Sequence, residues 1–398
     1  EGDDDSRALT RLMLPHSGGV DGVSELLAMT AAERGWTDCS PALVRSYSRS
    51  DVNTPDEDRV EREALSVLYP NRPITEVVYS VFLDPQTAPG PETIRFDDRT
   101  RADAWNLLAR LDPAGEARAS LILDSPVSAV ATSSSPMLEA LRAALRDFRV
   151  VPITGDELQW LAQAHQREAA WWGEARAAVA RTRASERLTF RHLEPIRWAS
   201  IHRPDWLAES REQHIAVLAA AQEQGTVVRR RADRGPGGGR RGELVEAWSD
   251  TLSWADALTA RVVQEAIQDR YVLGQLAQQA KLDRDDTTTE YGGVLESVSD
   301  RGFDAVLFPP RPSQRVNDTT FVASQDMIDG SARALAHYHL HAQRLRNGEY
   351  AGPSLGDLQY AARSGRTCVV FTTIDRDRVN ADLYAPDGSV LDLGVLEL

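Results

Sequence analysis

Cysteine, lysine and long apolar runs are all scarce in this chain. Of 398 residues only two are cysteines, Cys39 and Cys368, far apart in sequence. That excludes a disulfide framework of the kind that holds small secreted domains together. Cys368 precedes Val369-Val370-Phe371 and reads as a small core residue. Lysine occurs once, at Lys281, against 44 arginines. The bias fits high-GC bacterial codon usage and leaves the chain almost no lysine for isopeptide modification. No stretch of about 18 uncharged apolar residues is present, which excludes a membrane-spanning helix. Positive charge is outweighed, with a formal net charge of −15, which argues against general binding to nucleic acid or anionic membrane. The chain starts at Glu1 rather than Met. A processed secreted protein or a trimmed chain both fit, so the compartment stays open, with the cytoplasm as first choice.

What is present bounds the architecture. A chain of this length predicts two or three domains, and a hydrophobic share of 42% is enough for a core in each. The pattern predicts an α+β multidomain protein. Residues 1–20, acidic and then Gly-rich, read as a flexible N-terminus. Residues 21–154 read as a small mixed α/β domain, with strands at 77–83, 120–123 and 149–153 and helices at 102–111 and 137–148. Residues 155–284, rich in Ala, Arg, Glu and Gln, read as a helical region with long helices at 156–184, 206–224 and 241–281. It carries seven tryptophans, which at helical spacing are core residues. Within it an Arg/Gly-rich linker at 228–241 lacks the Lys-Ser or Lys-Thr of a phosphate-binding loop. Residues 285–398 read as a mixed α/β domain. Strands are expected at 287–295, 303–308, 368–374, 379–384 and 390–398, and helices at 325–335 and 358–363.

The chemistry concentrates in that last domain. Residues 336–341 read Ala-His-Tyr-His-Leu-His, and residues 352–357 read Gly-Pro-Ser-Leu-Gly-Asp. In an extended segment alternate side chains share a face, so His339 and His341 can reach one ion. With a carboxylate such as Asp357 they make three ligands and leave a fourth tetrahedral position open, the layout of a catalytic zinc site. His337 has the same spacing from His339 and is the alternative ligand. Ser354 and Asp357 also fit a helix N-cap followed by a first-turn acid, a structural role compatible with a catalytic one. Upstream, Glu290 lies in a Thr-rich stretch followed by Gly292-Gly293, where paired glycines predict close approach of another backbone. A carboxylate that is not itself a ligand suits proton transfer to a leaving amine.

Together these residues resemble the JAMM (MPN-plus) metalloprotease family, whose pattern is a Glu on an early strand, then His-x-His, then Ser-x-x-Asp. The resemblance covers roughly residues 286–398. It implies a JAMM-like α/β domain with a curved mixed sheet, and Zn²⁺ held by His339, His341 and Asp357. It further implies Glu290 as general acid/base and Ser354 as the group that stabilises the oxyanion. The implied activity is a metallopeptidase acting on peptide or isopeptide bonds, with protein substrates that include ubiquitin-like tails. The preceding residues would recruit or gate the substrate. Two departures stand out: Ala342-Gln343 replaces the Pro that follows the second His, and the stretch from His341 to Asp357 is long. Two other readings remain: a metal-free scaffold on the same fold, and a metal hydrolase of a small amide such as a cell-wall peptide or an aminoacylated carrier.

Overall fold

A computed structural model describes residues 2–16, 22–49, 54–85, 93–125, 135–167, 169–182, 188–225, 243–298 and 302–398. The Arg/Gly-rich linker expected at 228–241 lies outside the described residues. The protein is mixed α/β, 62% helical, with a six-stranded mixed sheet at its C-terminus. It divides into two compact units, Glu1–Arg167 and Glu168–Leu398.

The described residues of the first unit are helical, which corrects the strands expected there. Residues 77–83 belong to the helix Ile74–Leu83, which starts directly after Pro73. Its Val77, Val78, Val81 and Phe82 are buried. That i, i+1, i+4, i+5 spacing makes a broad helical face, and packing on it overrides the β-propensity of a Val-rich run. Residues 120–123 lie in the helix Glu116–Asp124. Residues 149–153 form no strand either. Arg149 adopts a left-handed φ of 58° directly after the helix Ser135–Phe148. The Arg149 N–H reaches back to the Leu145 carbonyl at 3.1 Å, the left-handed closure of that helix. The N-terminus expected to be flexible is a helix over Gly2–Met13, with Asp3, Asp4 and Asp5 in its first turn. Acids there complement the helix dipole, and Arg7 pairs with Asp38 at 2.6 Å.

The second unit joins helices to the sheet. The expected long helices are shorter: Gly155–Arg167 in the first unit, then Ala169–Val179, Pro204–Ala208, Arg211–Gln224, Trp254–Ile267 and Arg270–Asp285. Ser210 and Ser253 cap two of them through reciprocal hydrogen bonds with Gln213 and Asp256. Five of the seven tryptophans are buried, namely Trp160, Trp171, Trp172, Trp198 and Trp254. The two cysteines are buried and unpaired.

The strands are β1 (Gly292–Val298), β2 (Gly302–Leu307), β3 (Ala334–His341), β4 (Cys368–Thr373), β5 (Arg378–Tyr384) and β6 (Val390–Glu397). Their order is β2-β1-β3-β4-β5-β6, so β3 is an interior strand. Only the β3–β4 pair is parallel. A parallel pair needs a crossover, and here it contains the helix Leu355–Ser364. All eight residues of β3 are buried, because both faces are covered. On one face the Tyr338 hydroxyl meets Gln279 of the helix Arg270–Asp285 at 2.5 Å. On the other, Ala361 of the crossover helix packs with Cys368, Val370, Tyr384 and Val390. The helix expected over 325–335 ends at Asp329, and a 3₁₀ turn then leads into β3. The paired glycines mark a close approach: a Cβ on Gly293 would stand 1.9 Å from the Val306 carbonyl oxygen.

Candidate metal centre

His337, His339 and His341 share the face of β3 that looks toward the crossover helix. The antiparallel and parallel neighbours, β1 and β4, fix their heights: His339 lies opposite Gly292 on one side and Val370 on the other. The chain then leaves β3 and returns as the helix that begins at Leu355, which brings Ser354 and Asp357 back to the carboxyl end of the strand. In open α/β sheets that end is where ligands sit.

The geometry matches a tetrahedral ion. Ligand atoms at roughly 2.0–2.1 Å from a tetrahedral zinc stand about 3.3 Å from each other. The two facing nitrogens, His339 Nε2 and His341 Nε2, are 3.2 Å apart, and Asp357 Oδ1 is 3.4 Å from His339 Nε2. Asp357 Oδ2 and Glu290 Oε1 each lie 3.9 Å from His341 Nε2. Glu290, His339 and His341 also form a cluster whose ligand atoms all lie within 4.8 Å of one another. The residues singled out in the sequence therefore surround one cavity of about 220 Å³, lined by Glu290, His339, His341, Ser354, Asp357 and Tyr384 among others.

Surrounding groups fix the orientation of each ligand. The His341 Nδ1–H donates to the Tyr350 carbonyl at 3.1 Å, which leaves Nε2 with its lone pair toward His339. The His339 ring stacks on Phe321 with centroids 5.6 Å apart. Its Nδ1 lies 3.5 Å from the Tyr384 hydroxyl. Burial alone would lower the His339 pKa, yet the Asp357 and Glu290 carboxylates raise it to about 9. Asp357 is correspondingly held well below the usual carboxylate range, because His339 outweighs its burial.

Glu290 sits just ahead of β1. The threonine run before it forms a turn rather than the expected strand, with Thr288 bonded to Asp286. Burial, together with Asp357 and Asp283, raises the Glu290 pKa to about 7 against the opposing pull of His339. Its Oε1 accepts from Gln343 Nε2 at 2.6 Å. Asn347 donates to Gln343 Oε1 at 2.8 Å and to the His341 carbonyl at 3.1 Å. Gln343 and Asn347, both in the stretch between His341 and Asp357, thus hold the Glu290 carboxylate.

Ser354 caps the crossover helix. Its Oγ accepts from the Asp357 N–H at 3.2 Å, and its own N–H donates to Asp357 Oδ2 at 2.7 Å. The capping role expected from the sequence is therefore real, and Ser354 also lines the cavity. His337 is placed differently from the other two histidines. Its Nδ1 pairs with the Tyr360 hydroxyl at 2.7 Å, and burial drives its pKa down to about 3. It does not belong to the clustered ligand atoms, and neither does Asp357; the carboxylate of that cluster is Glu290.

One important residue escaped the sequence reading. Asp283, fully buried, accepts from the Tyr291 N–H at 2.8 Å and the Ala342 N–H at 3.2 Å. It thereby ties the residue after Glu290 to the residue after His341. Its signal was present: an acid in the last turn of the helix Arg270–Asp285 opposes the helix dipole, so it needs another reason to be there.

No protein-family model, curated protein or solved structure matches the chain.

Proposed function

We propose that residues 285–398 form a zinc-dependent hydrolase of peptide or isopeptide bonds, similar in its site to the JAMM metalloproteases. The observation that carries this reading is the meeting of His339, His341, Asp357 and Glu290 around one cavity, from four separate positions in sequence. His339, His341 and Asp357 would hold the ion. Zinc there would supply Lewis acidity toward a carbonyl and bring the pKa of its water down to roughly 7.

The remaining chemistry belongs to the chain. With a pKa of about 7, Glu290 both accepts and returns a proton near neutrality. It takes the proton of the attacking water and delivers it to the leaving amine. Gln343 holds Oε1, the carboxylate oxygen that lies 3.9 Å from His341 Nε2. The Ser354 hydroxyl, which lines the cavity, would donate to the oxyanion of the tetrahedral intermediate. Proteins or peptides, ubiquitin-like tails among them, are the substrates this reading assigns.

Elemental analysis of the purified full chain tests it. One zinc per chain is expected, with Glu290→Gln retaining the metal and losing hydrolysis of peptide and isopeptide substrates. A folded protein that takes up no zinc overturns the proposal. Loss of zinc in Glu290→Gln would make Glu290 a ligand and remove it as the acid/base.

A further inference from the structure

The same face of the sheet carries a second polar cluster, two strands from the histidines. Asp382 on β5 lies opposite Val370 of β4, which in turn lies opposite His339. At ordinary strand spacing this puts the two centres about 10 Å apart. Asp382 also lies opposite Asp392 of β6. Glu243, Asp382 and Asp392 bring carboxylate oxygens within 4.8 Å of one another. Both aspartates are fully buried.

Glu243 is held there by its own backbone. The Asp392 N–H donates to the Glu243 carbonyl at 2.8 Å. Gln222 of the helix Arg211–Gln224 pins the segment from both sides, donating to the Asp392 carbonyl at 2.7 Å and accepting from the Val245 N–H at 2.9 Å.

An independent feature points to a ligand. Asn380 and Thr372, cross-strand partners on this face, are fully buried, and neither Asn380 Oδ1 nor Thr372 Oγ1 has a hydrogen-bond partner. Asp382 Oδ1 lacks one as well. The Asn380 amide lies against Asp382, its Nδ2 donating to Oδ2 at 2.8 Å. Buried polar atoms without partners are costly and rare, and two of these, Asp382 Oδ1 and Asn380 Oδ1, belong to side chains joined by a hydrogen bond at the carboxylate cluster. A shared proton satisfies one pair of carboxylate oxygens and leaves the Asn380 carbonyl oxygen bare. A cation can accept all of them.

We propose that Glu243, Asp382 and Asp392, with the Asn380 carbonyl oxygen, form a binding site for a calcium ion. The donor set is all oxygen, with neither imidazole nor thiolate, which selects a hard cation over zinc. Carboxylates and an amide carbonyl in irregular array suit Ca²⁺ better than Mg²⁺, which keeps its waters and demands an octahedron. Ligands around Ca²⁺ at 2.3–2.6 Å stand up to about 5 Å apart, as these carboxylate oxygens do. Glu243 is only partly buried and gives the ion a way in. The backbone N–H of Gly352 bonds to Asp382, so the ion would also anchor the segment that leads to Ser354.

Equilibrium dialysis of the full chain against ⁴⁵Ca²⁺ tests the site without reference to hydrolysis. One saturable Ca²⁺ per chain is expected below about 1 mM, with a rise in melting temperature. Glu243→Gln should weaken binding at least tenfold, Asp382→Asn should abolish it, and His341→Ala should leave it unchanged. Absent calcium, Asp382→Asn should melt higher than the parent, since it relieves carboxylate repulsion. No saturable uptake, uptake that survives both Glu243→Gln and Asp382→Asn, or preferential uptake of Mg²⁺ overturns the assignment. Should Asp382→Asn not fold, Glu243→Gln decides, because that side chain is not part of the core.

Discussion

The Gln343 amide donates to Glu290 Oε1 at 2.6 Å across 53 residues of sequence. This contact holds the carboxylate oxygen that lies 3.9 Å from His341 Nε2, and Asn347 in turn holds Gln343. Replacing Gln343 by Ala should therefore leave zinc content unchanged while kcat falls about tenfold, the effect of losing one hydrogen bond to a carboxylate worth about 1.5 kcal/mol. Elemental analysis beside steady-state kinetics checks both halves, and a loss of zinc would assign Gln343 to metal retention instead.

Glu290→Gln should reduce turnover by a factor of about 10² to 10⁴, the usual contribution of a positioned acid/base. Melting temperature should hold or rise, since burial already disfavours the charged form. Activity close to that of the parent would remove Glu290 from the chemistry.

The pH dependence of stability has a definite sign. His339 is raised to about 9, so its contribution is present below its unfolded value of about 6.5 and lost as pH rises through 9. Glu290 and Asp283 are raised to about 7, so theirs are present below about 4 and lost as pH rises through 7. All three make the metal-free protein less stable toward alkaline pH. Zinc takes the deprotonated ligands, so the zinc-induced rise in melting temperature should widen steadily from about pH 6 to 8.5. A rise that is flat or shrinks over that interval contradicts the His339–Asp357 pair as the place of binding.

Two glycines should respond in opposite directions to alanine. Gly274 is exposed in the helix Arg270–Asp285, and an added Cβ meets nothing within 4 Å. Gly274→Ala should stabilise the protein by about 0.5–1 kcal/mol. On Gly293 the Cβ would collide with the Val306 carbonyl and the Tyr338 hydroxyl. Gly293→Ala should cost about 3 kcal/mol and part β1 from β2. Urea unfolding of both variants measures the pair.

The sequence by itself brought forward several of the residues that line the cavity. Spacing of two on an extended segment put His339 and His341 on one face, and the Ser-x-x-Asp signal named the helix cap and a carboxylate beside them. Composition likewise excluded a membrane-spanning helix, and no helix among the described residues is long and apolar enough for one. The strands from 303 onward were legible because turns with Pro and Gly bound them.

Tertiary structure alone decided the rest. Residues 77–83 carry a strand's composition but lie in a helix, because a short apolar run has no period of its own and takes the conformation its neighbours bury. Asp283, Gln343 and Asn347 acquired their roles only when the helix Arg270–Asp285 and the segment after β3 were brought against Glu290. Hydrogen bonds between residues dozens of positions apart leave no periodicity in the chain, since their spacing is set by how the elements pack.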